Sequence, residues 1–386
     1  MFLFNKVQFE AKLIGFEKEK IKDGIDNKEF FDEIIKKIDK NFSIDNIVKK
    51  NVKVKPDAPF LTSSLQKEGS RKLNLKIGEI MKIAQELSEG VKINGKNTGL
   101  ITYMRTDSLN ISDDSLKDIS NFLNKNFPEY YPGKPTVYKS KVKNAQEAHE
   151  CIRPTYINLE PDKIKDDLTE NQYKIYKMIW QKTVASQMIP ATKEQFTFEI
   201  KSKNSEFKTT TTVVKDPGFL AVYETENLKI HLPLKVGDRV DCNDLSIKEH
   251  ETQPPGRYTE GDLIEELEKN GIGRPSTYSS IIEVLQKRLY VEKRQKHLVP
   301  TFKGEIICCF LKSFFVKYLD YKFTASIEEK LDKIANNELV FVDLLKEFDQ
   351  ELQKIIGDVK KIGQIDALNQ ISSSIVEGLN RTCECG

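Results

Sequence analysis

The feature that most restricts what this chain can fold into is a hydrophobic period that changes repeatedly along its length. From Val7 to Ile21 ("VQFEAKLIGFEKEKI") apolar and polar residues roughly alternate, as along a half-buried strand. Within "NKEFFDEIIKKIDKNF" the apolar positions Phe30, Phe31, Ile34, Ile35 and Ile38 fall at helical spacing. "SIDNIVKKNVKVKP" then returns to a period of two and stops at Pro56. Alternation resumes only over residues 194–248, in "EQFTFEIKS", "EFKTTTTVVK", "GFLAVYE" and "GDRVDCNDLSIKEHE". Two strand-rich stretches so far apart predict one discontinuous β-rich domain with a helical block inserted into it. The expected class is a multidomain α+β protein, and 386 residues suffice for two or three cores.

Between those stretches the helical period dominates. "SSLQKEGSRKL" and "KIGEIMKIAQELSEG" predict two helices, the second ended by Gly90, and Ile101 to Met104 predict a buried strand. Ser112 is placed to cap a helix whose first turn holds Asp113 and Asp114. "TENQYKIYKMIWQKTVASQMI" reads as an amphipathic helix carrying the single Trp, Trp180. "QPPGRYTEG" is a linker, and the chain beyond it is mainly helical. The domain boundaries expected on this basis are 1–59 with 190–253 (β-rich), 60–189 (helical), 254–380 (helical) and a short tail, 381–386.

Composition removes several classes. Hydrophobic content of 38% with 31% charged residues fits a globular protein, and no apolar run reaches the ~18 residues of a membrane span. The N-terminal stretch lacks the apolar core and cleavage site of a signal peptide. A net charge of +2 makes no announcement of a nucleic-acid partner, so any such site has to be local. The six cysteines are scattered or adjacent, a poor disulfide framework, and a reducing cytoplasm is the expected home. Cys383 and Cys385 have no second pair to close a four-ligand zinc site, so no metal is assigned to this chain. Arginine makes up only nine of 61 basic residues, so each marks a place where a planar fork is worth having.

Three constellations carry candidate chemistry. In "GLITYMRTDSL", Tyr103 and Arg105 are two apart and share a face if the segment is extended. An unassisted phenol titrates near ~10 and needs a neighbouring cation or base to attack; Arg105 could serve, and could grip phosphate oxygens with both arms. Strand ends also carry Tyr and Arg for purely structural reasons. In "QEAHECIRPT", His149 and Arg153 face one side whether the segment is helix or strand, with Glu147 nearby; His149 is a proton carrier or a surface imidazole braced by Glu147 or Glu150. In "YTEGDLIEELEKNGIGRPSTYSSIIEVLQKRLYV", Thr259 and Asp262 form a capping box, Asn270-Gly271 ends the first helix, and Gly273 with Pro275 enforces a turn. Ser276 is expected to cap a second helix that turns Ile281, Ile282 and Leu285 inward. Arg274, Ser276 and Thr277 before a helix N-terminus make a phosphate site. A hairpin in "LYVEKRQKHLVP" completes the order of a winged-helix DNA reader, or of an ordinary helical hairpin.

"GVKINGKNT" (90–98) nearly fits a phosphate-binding loop, but it follows a helix and leads into a strand. It reads as a turn, and no ATP use is expected.

In this order and spacing, "GLITYMRTDS", "EAHECIRP" and "NGIGRPSTY", with "APFLTSSLQ", "VPTFKGE" and "YKFTASIEEKLDKIA", resemble the bacterial type IA DNA topoisomerases of the topoisomerase I kind. The resemblance covers nearly the whole chain. It implies that Tyr103 is the nucleophile, joined transiently to a 5′ phosphate while a 3′ hydroxyl is released. It also implies that Arg105 holds the scissile phosphate, that His149 assists proton movement, and that Arg153, Arg274, Ser276, Thr277 and Arg288 contact DNA. The β-rich pieces would be the arch, and the partner would be single-stranded or negatively supercoiled DNA. Such enzymes also carry an N-terminal metal-binding domain with a D-x-D-x-E cluster that uses Mg²⁺, and no D-x-D occurs in this sequence. The expectation is therefore a piece of the catalytic core, without that domain and without the zinc-binding tail, that needs a separately encoded metal-binding domain for activity. The competing expectation is a non-catalytic DNA-binding remnant with Tyr103 idle.

Overall fold

Period-two stretches far apart in the sequence pair with one another. The computed structural model describes residues 2–4, 7–17, 19–21, 25, 28–138, 149–223, 232–245, 251, 253–363, 366, 369, 372 and 373. The chain divides into two compact units: Met1–Asp57, Lys117–Thr136 and Val184–Glu251 in one, Ala58–Leu116, Val137–Thr183 and Thr252–Gly386 in the other.

The first unit is built on β1 (Phe2–Phe4), β2 (Val7–Phe9), β3 (Lys12–Phe16), β4 (Glu19–Lys20), helix α1 (Lys28–Lys37) and the long β5 (Phe42–Val54). The return stretch adds β8 (Ala191–Lys201), β9 (Ser205–Asp216) and β10 (Arg239–Cys242). All eight strands form one sheet in the order β2-β1-β10-β5-β8-β9-β3-β4, with every neighbouring pair antiparallel. β5 pairs with β8 from Ser43↔Lys201 to Val54↔Ala191, so the discontinuous β-rich unit is closed by its two longest matched strands. Phe2, Phe42 and Phe207 meet edge to face at 5.0–5.5 Å, the geometry that aromatic quadrupoles favour, with Ile34 of α1 sealed against the same core.

Three expected strands of this unit differ. The stretch from Val7 to Ile21 is not one strand but three short ones, broken after Phe9 and at Glu17, whose φ is 47°. "GFLAVYE" forms a 3₁₀ turn over Gly218–Val222 instead, because Pro217 ends the preceding ladder and the Asp216 carboxylate accepts the Gly218 N–H at 3.0 Å. Of "GDRVDCNDLSIKEHE", only Arg239–Cys242 is strand, and residues 246–250 lie outside the described residues.

The second unit holds α2 (Thr62–Leu73), α3 (Ile77–Glu89), the hairpin β6 (Val91–Ile93) and β7 (Lys96–Thr98), α6 (Glu260–Lys269), α7 (Tyr278–Lys287), the hairpin β11 (Val291–Arg294) and β12 (His297–Pro300), and helices α8 (Phe302–Phe314), α9 (Val316–Leu319), α10 (Tyr321–Ala335) and α11 (Phe341–Lys361). Helices α4 (Asp113–Asn126) and α5 (Glu170–Ser186) begin in it. The near phosphate loop at 90–98 is the β6–β7 hairpin, turning on Asn94 and Gly95, both with positive φ. The two helical blocks expected as separate domains share this unit. Helix α2 lies on α6 so closely that a Cβ at Gly261 would stand 3.0 Å from the Lys67 Cα, and Ile77, Ile264, Tyr278 and Ile282 form a common core. α5 is fixed through Trp180, whose Nε1 donates to the Ile157 carbonyl at 2.9 Å, and Tyr176, whose hydroxyl donates to Leu159 at 2.7 Å. No helix among the described residues is long and apolar enough to cross a membrane.

Candidate active site around Tyr103

Residues 100–110 do not form a strand; Ile101 makes only an isolated antiparallel bridge to Pro154. Alternation survives all the same. Met104 and Thr106 are buried, while Tyr103 is 51% exposed and Arg105 is exposed, so phenol and guanidinium are both open to solvent. What holds so irregular a segment is hydroxyl bonding on both flanks. Upstream, the Thr102 hydroxyl donates to the Cys151 carbonyl at 2.6 Å and accepts the Arg153 N–H at 3.1 Å, and the Thr102 N–H donates to the Arg153 carbonyl at 3.0 Å. Downstream, the fully buried Thr62 donates to Met104 O (2.8 Å) and Thr106 O (3.1 Å) and accepts the Thr106 N–H at 2.8 Å. One threonine ties the loop to the segment carrying His149, and the other grips the backbone on either side of Arg105.

This clasp brings His149 edge-on to Tyr103, with ring centroids 6.0 Å apart and planes at 71°. His149 is exposed, and so is Arg105, for which no carboxylate partner occurs among the described residues. Phenol, imidazole and an open guanidinium thus lie in one exposed neighbourhood.

Arg153 differs from expectation. It is 9% exposed and turned inward while His149 faces out, because the segment is neither helix nor strand and neither spacing rule applies. Its Nε donates to Glu150 Oε2 at 2.7 Å, its Nη2 pairs with the same carboxylate, and its Nη1 donates to the Pro154 carbonyl at 2.9 Å. Glu150 also accepts the Ser112 N–H at 3.0 Å, at the head of α4. The fork is committed to bracing the loop. Between Glu150 and Arg153, the Cys151 thiol is pushed up to about 12, mainly by burial, and stays protonated near neutrality. Glu147 lies outside the described residues.

The capping box forms as expected: Thr259 Oγ1 accepts the Asp262 N–H at 3.2 Å, and the Asp262 carboxylate accepts the Thr259 N–H at 3.1 Å. Gly273, at φ +78°, has Ile281, Thr277 and Tyr278 within 3.2 Å of where a Cβ would stand, which fixes glycine there. The second helix starts one residue later than expected. Ser276 does not cap it; Thr277 precedes α7, and its hydroxyl accepts the Arg274 N–H at 2.8 Å. Ser276 and Thr277 are exposed. Arg274 is half-buried, with Nη2 on Asp332 at 2.6 Å and Nη1 3.7 Å from Glu328. Arg288 ends α7 and is exposed. The hairpin after it pairs Val291↔Pro300 to Arg294↔His297, completing the helix, turn, helix and hairpin order.

Sequence reasoning missed Thr62, Ser63 and Thr102, although they lie in "APFLTSSLQ" and "GLITYMRTDS", and it offered Glu150 as a brace for His149 where the structure pairs it with Arg153. Among the described residues no group of three or more His, Cys, Asp or Glu could hold a metal ion.

A DNA topoisomerase family model matches residues 3–346. A DNA topoisomerase 1 from Rickettsia felis is 40% identical over 382 residues, covering 92% of this chain and 49% of that protein. One from Xylella fastidiosa is 40% identical over 331 residues, covering 82% of this chain and 40% of that protein. The structure of full-length topoisomerase I from Thermotoga maritima superposes with a TM-score of 0.73 at 33% identity, covering 89% of this chain and 56% of that one. The chain belongs to the bacterial type IA DNA topoisomerase family. It spans about half the length of the curated relatives it matches.

Proposed function

We propose that this chain carries the nucleophile of an ATP-independent type IA DNA topoisomerase. The Tyr103 oxygen attacks a backbone phosphorus; the new P–O bond to tyrosine forms as the bond to the 3′ oxygen breaks. The phenolic proton ends on the departing 3′ hydroxyl, and reversal rejoins the strand. One phosphodiester is exchanged for another, so no nucleotide is consumed. Arg105 holds the non-bridging oxygens, and His149 carries the proton beside the phenol. Arg274, Ser276, Thr277 and Arg288 bind the strand backbone further along, and Arg153 acts by holding the His149 segment in place. The segments we assign are a β-rich arch, 1–59 with 190–253, and two helical segments, 60–189 and 254–380, most of which fall in the second compact unit.

The observation that carries this reading is the shared exposed neighbourhood of Tyr103, Arg105 and His149. Magnesium is expected for the family. Among the described residues no cluster of three acidic, imidazole or thiol groups fits a metal ion, and Glu150 is committed to Arg153 and Ser112, so no step is routed through the ion. We assign the ion to a metal-binding domain of the whole protein or a separate one.

The test uses one single-stranded oligonucleotide labelled at either end. The protein is incubated with it alone, and with a relative's metal-binding domain and Mg²⁺. A denaturant-resistant adduct should carry the 3′-end label, not the 5′-end label, and should vanish in Tyr103→Phe. Supercoiled plasmid should be relaxed only with the added domain. An adduct with the opposite label, or one that survives Tyr103→Phe, rules the mechanism out.

A further inference from the structure

Thr62, which grips the loop on both sides of Arg105, is followed by Ser63. The Ser63 side chain points elsewhere, donating to Glu268 Oε1 near the end of α6 at 2.8 Å. Ser63 is 6% exposed and Glu268 is half-buried, so this bond is partly shielded from water. Two residues past Glu268 the chain enters the turn through Asn270 and Gly271 that presents Arg274. Adjacent residues in the first turn of α2 therefore reach the Arg105 loop and the helix leading into the Arg274 turn.

We propose that Glu268 is a positioning residue for strand cleavage, holding through Ser63 the turn of α2 whose Thr62 sets Arg105 beside Tyr103. The inference rests on the reading of Tyr103 as nucleophile. It concerns placement: Glu268 touches no reacting atom. Misplacement of about 1 Å costs such a reaction up to ~10²-fold, so a single buried anchor one residue from the clasp has a measurable effect. The bond is separable from folding. α2 and α6 remain joined by the Gly261 contact with Lys67 and by the Lys67–Glu265 ion pair, and α3 holds α6 through Ile77 and Ile264.

The groups facing Glu268 give a readout that a purely structural role would not. They are Ser63 of α2, Asp107 of the Tyr103 loop, Tyr278 of α7, and Glu265 on its own helix, itself paired with Lys67. Burial first, then the charges of Glu265 and Asp107, push its carboxyl above the ordinary glutamate range, while the Ser63 hydroxyl opposes. When ionised it faces Asp107 across to the nucleophile loop; when neutral it still accepts from Ser63. A glutamine keeps the accepting oxygen and removes the charge.

Single-turnover adduct formation is measured across pH, in whole protein able to cleave, for the native form, Ser63→Ala, Glu268→Ala and Glu268→Gln. Thermal unfolding is measured alongside. Ser63→Ala and Glu268→Ala should each slow adduct formation by about tenfold. Glu268→Gln should keep the native rate below the Glu268 titration and lose the decline that the native protein shows as pH rises through it. Native rates and pH profiles in all three variants overturn the proposal, whatever happens to melting. Absence of an adduct from the native protein instead overturns the Tyr103 reading, and this inference with it.

Discussion

In the proposed function the Tyr103 loop and the Arg274 turn both offer a guanidinium to a phosphate, but they are prepared in opposite ways. At Tyr103 and Arg105 themselves the holding bonds are neutral hydroxyl and backbone ones, the Arg153–Glu150 pair bracing the neighbouring 149–155 segment, and Arg105 is left without a carboxylate partner among the described residues. At the turn, Arg274 is already engaged by Asp332 and Glu328. A loop held by neutral groups can take an anion without losing what holds it. Arg274 must exchange partners, setting two displaced carboxylates against the incoming charge. The first arrangement suits the reacting phosphate, and the second a position further along the strand.

The largest effects belong to the loop. Tyr103→Phe should reduce adduct formation by about 10³-fold or more, and Arg105→Ala by about 10²-fold, both read by single-turnover kinetics. Equal, small losses from Arg105→Ala and Arg274→Ala would erase the distinction between the two regions. Next comes Thr62→Val, which leaves the buried Thr106 N–H and the Met104 carbonyl without their hydroxyl partner. It should cost about 1–3 kcal/mol in denaturant unfolding and slow adduct formation even where the protein is fully folded.

Arg274→Ala should weaken binding to single-stranded DNA more modestly and lower the salt slope by about one unit, with little change in the rate of the bound complex. Asp332→Asn sharpens the contrast: by freeing one arm of Arg274 and removing a negative charge, it should tighten binding at low salt. Unchanged affinity in both variants would place Arg274 outside the DNA path.

How far the sequence foretold this depends on whether a residue's partners are local. The capping box, the glycine turn and the inward Ile282 were readable because their causes lie within a few residues. The joint exposure of Tyr103 and Arg105 was readable because the alternation of exposed and buried residues persists without a regular strand. Arg153 was not: a spacing rule needs a repeating backbone, and the 149–155 segment has none. The hydroxyls of Thr62 and Thr102 reach partners 42 and 49 residues away, a pairing that no local pattern encodes. "GFLAVYE" failed for another reason, since an apolar run cannot reveal that Pro217 and Asp216 turn the chain before a strand begins.

The smallest expected effect is on acid stability. Burial alone would raise the Glu68 carboxyl, but the Lys182 and Lys72 ammonium groups outweigh it and hold it below the ordinary glutamate range. Its stabilisation is therefore complete above the ordinary glutamate pKa and lost as pH falls through the lowered value. Melting curves of the native protein and Glu68→Gln should converge at acid pH and separate above it. Glu268 carries the opposite sign, stability falling as pH rises from the ordinary value to the raised one.

The most direct measurement is a peptide map of the covalent DNA adduct by mass spectrometry. The 5′-phosphoryl nucleotide should sit on the peptide containing Tyr103, bonded through its phenolic oxygen. Attachment at another residue, or through a 3′ phosphate, would contradict the central claim that this loop exists to offer Tyr103 and Arg105 to the same phosphate.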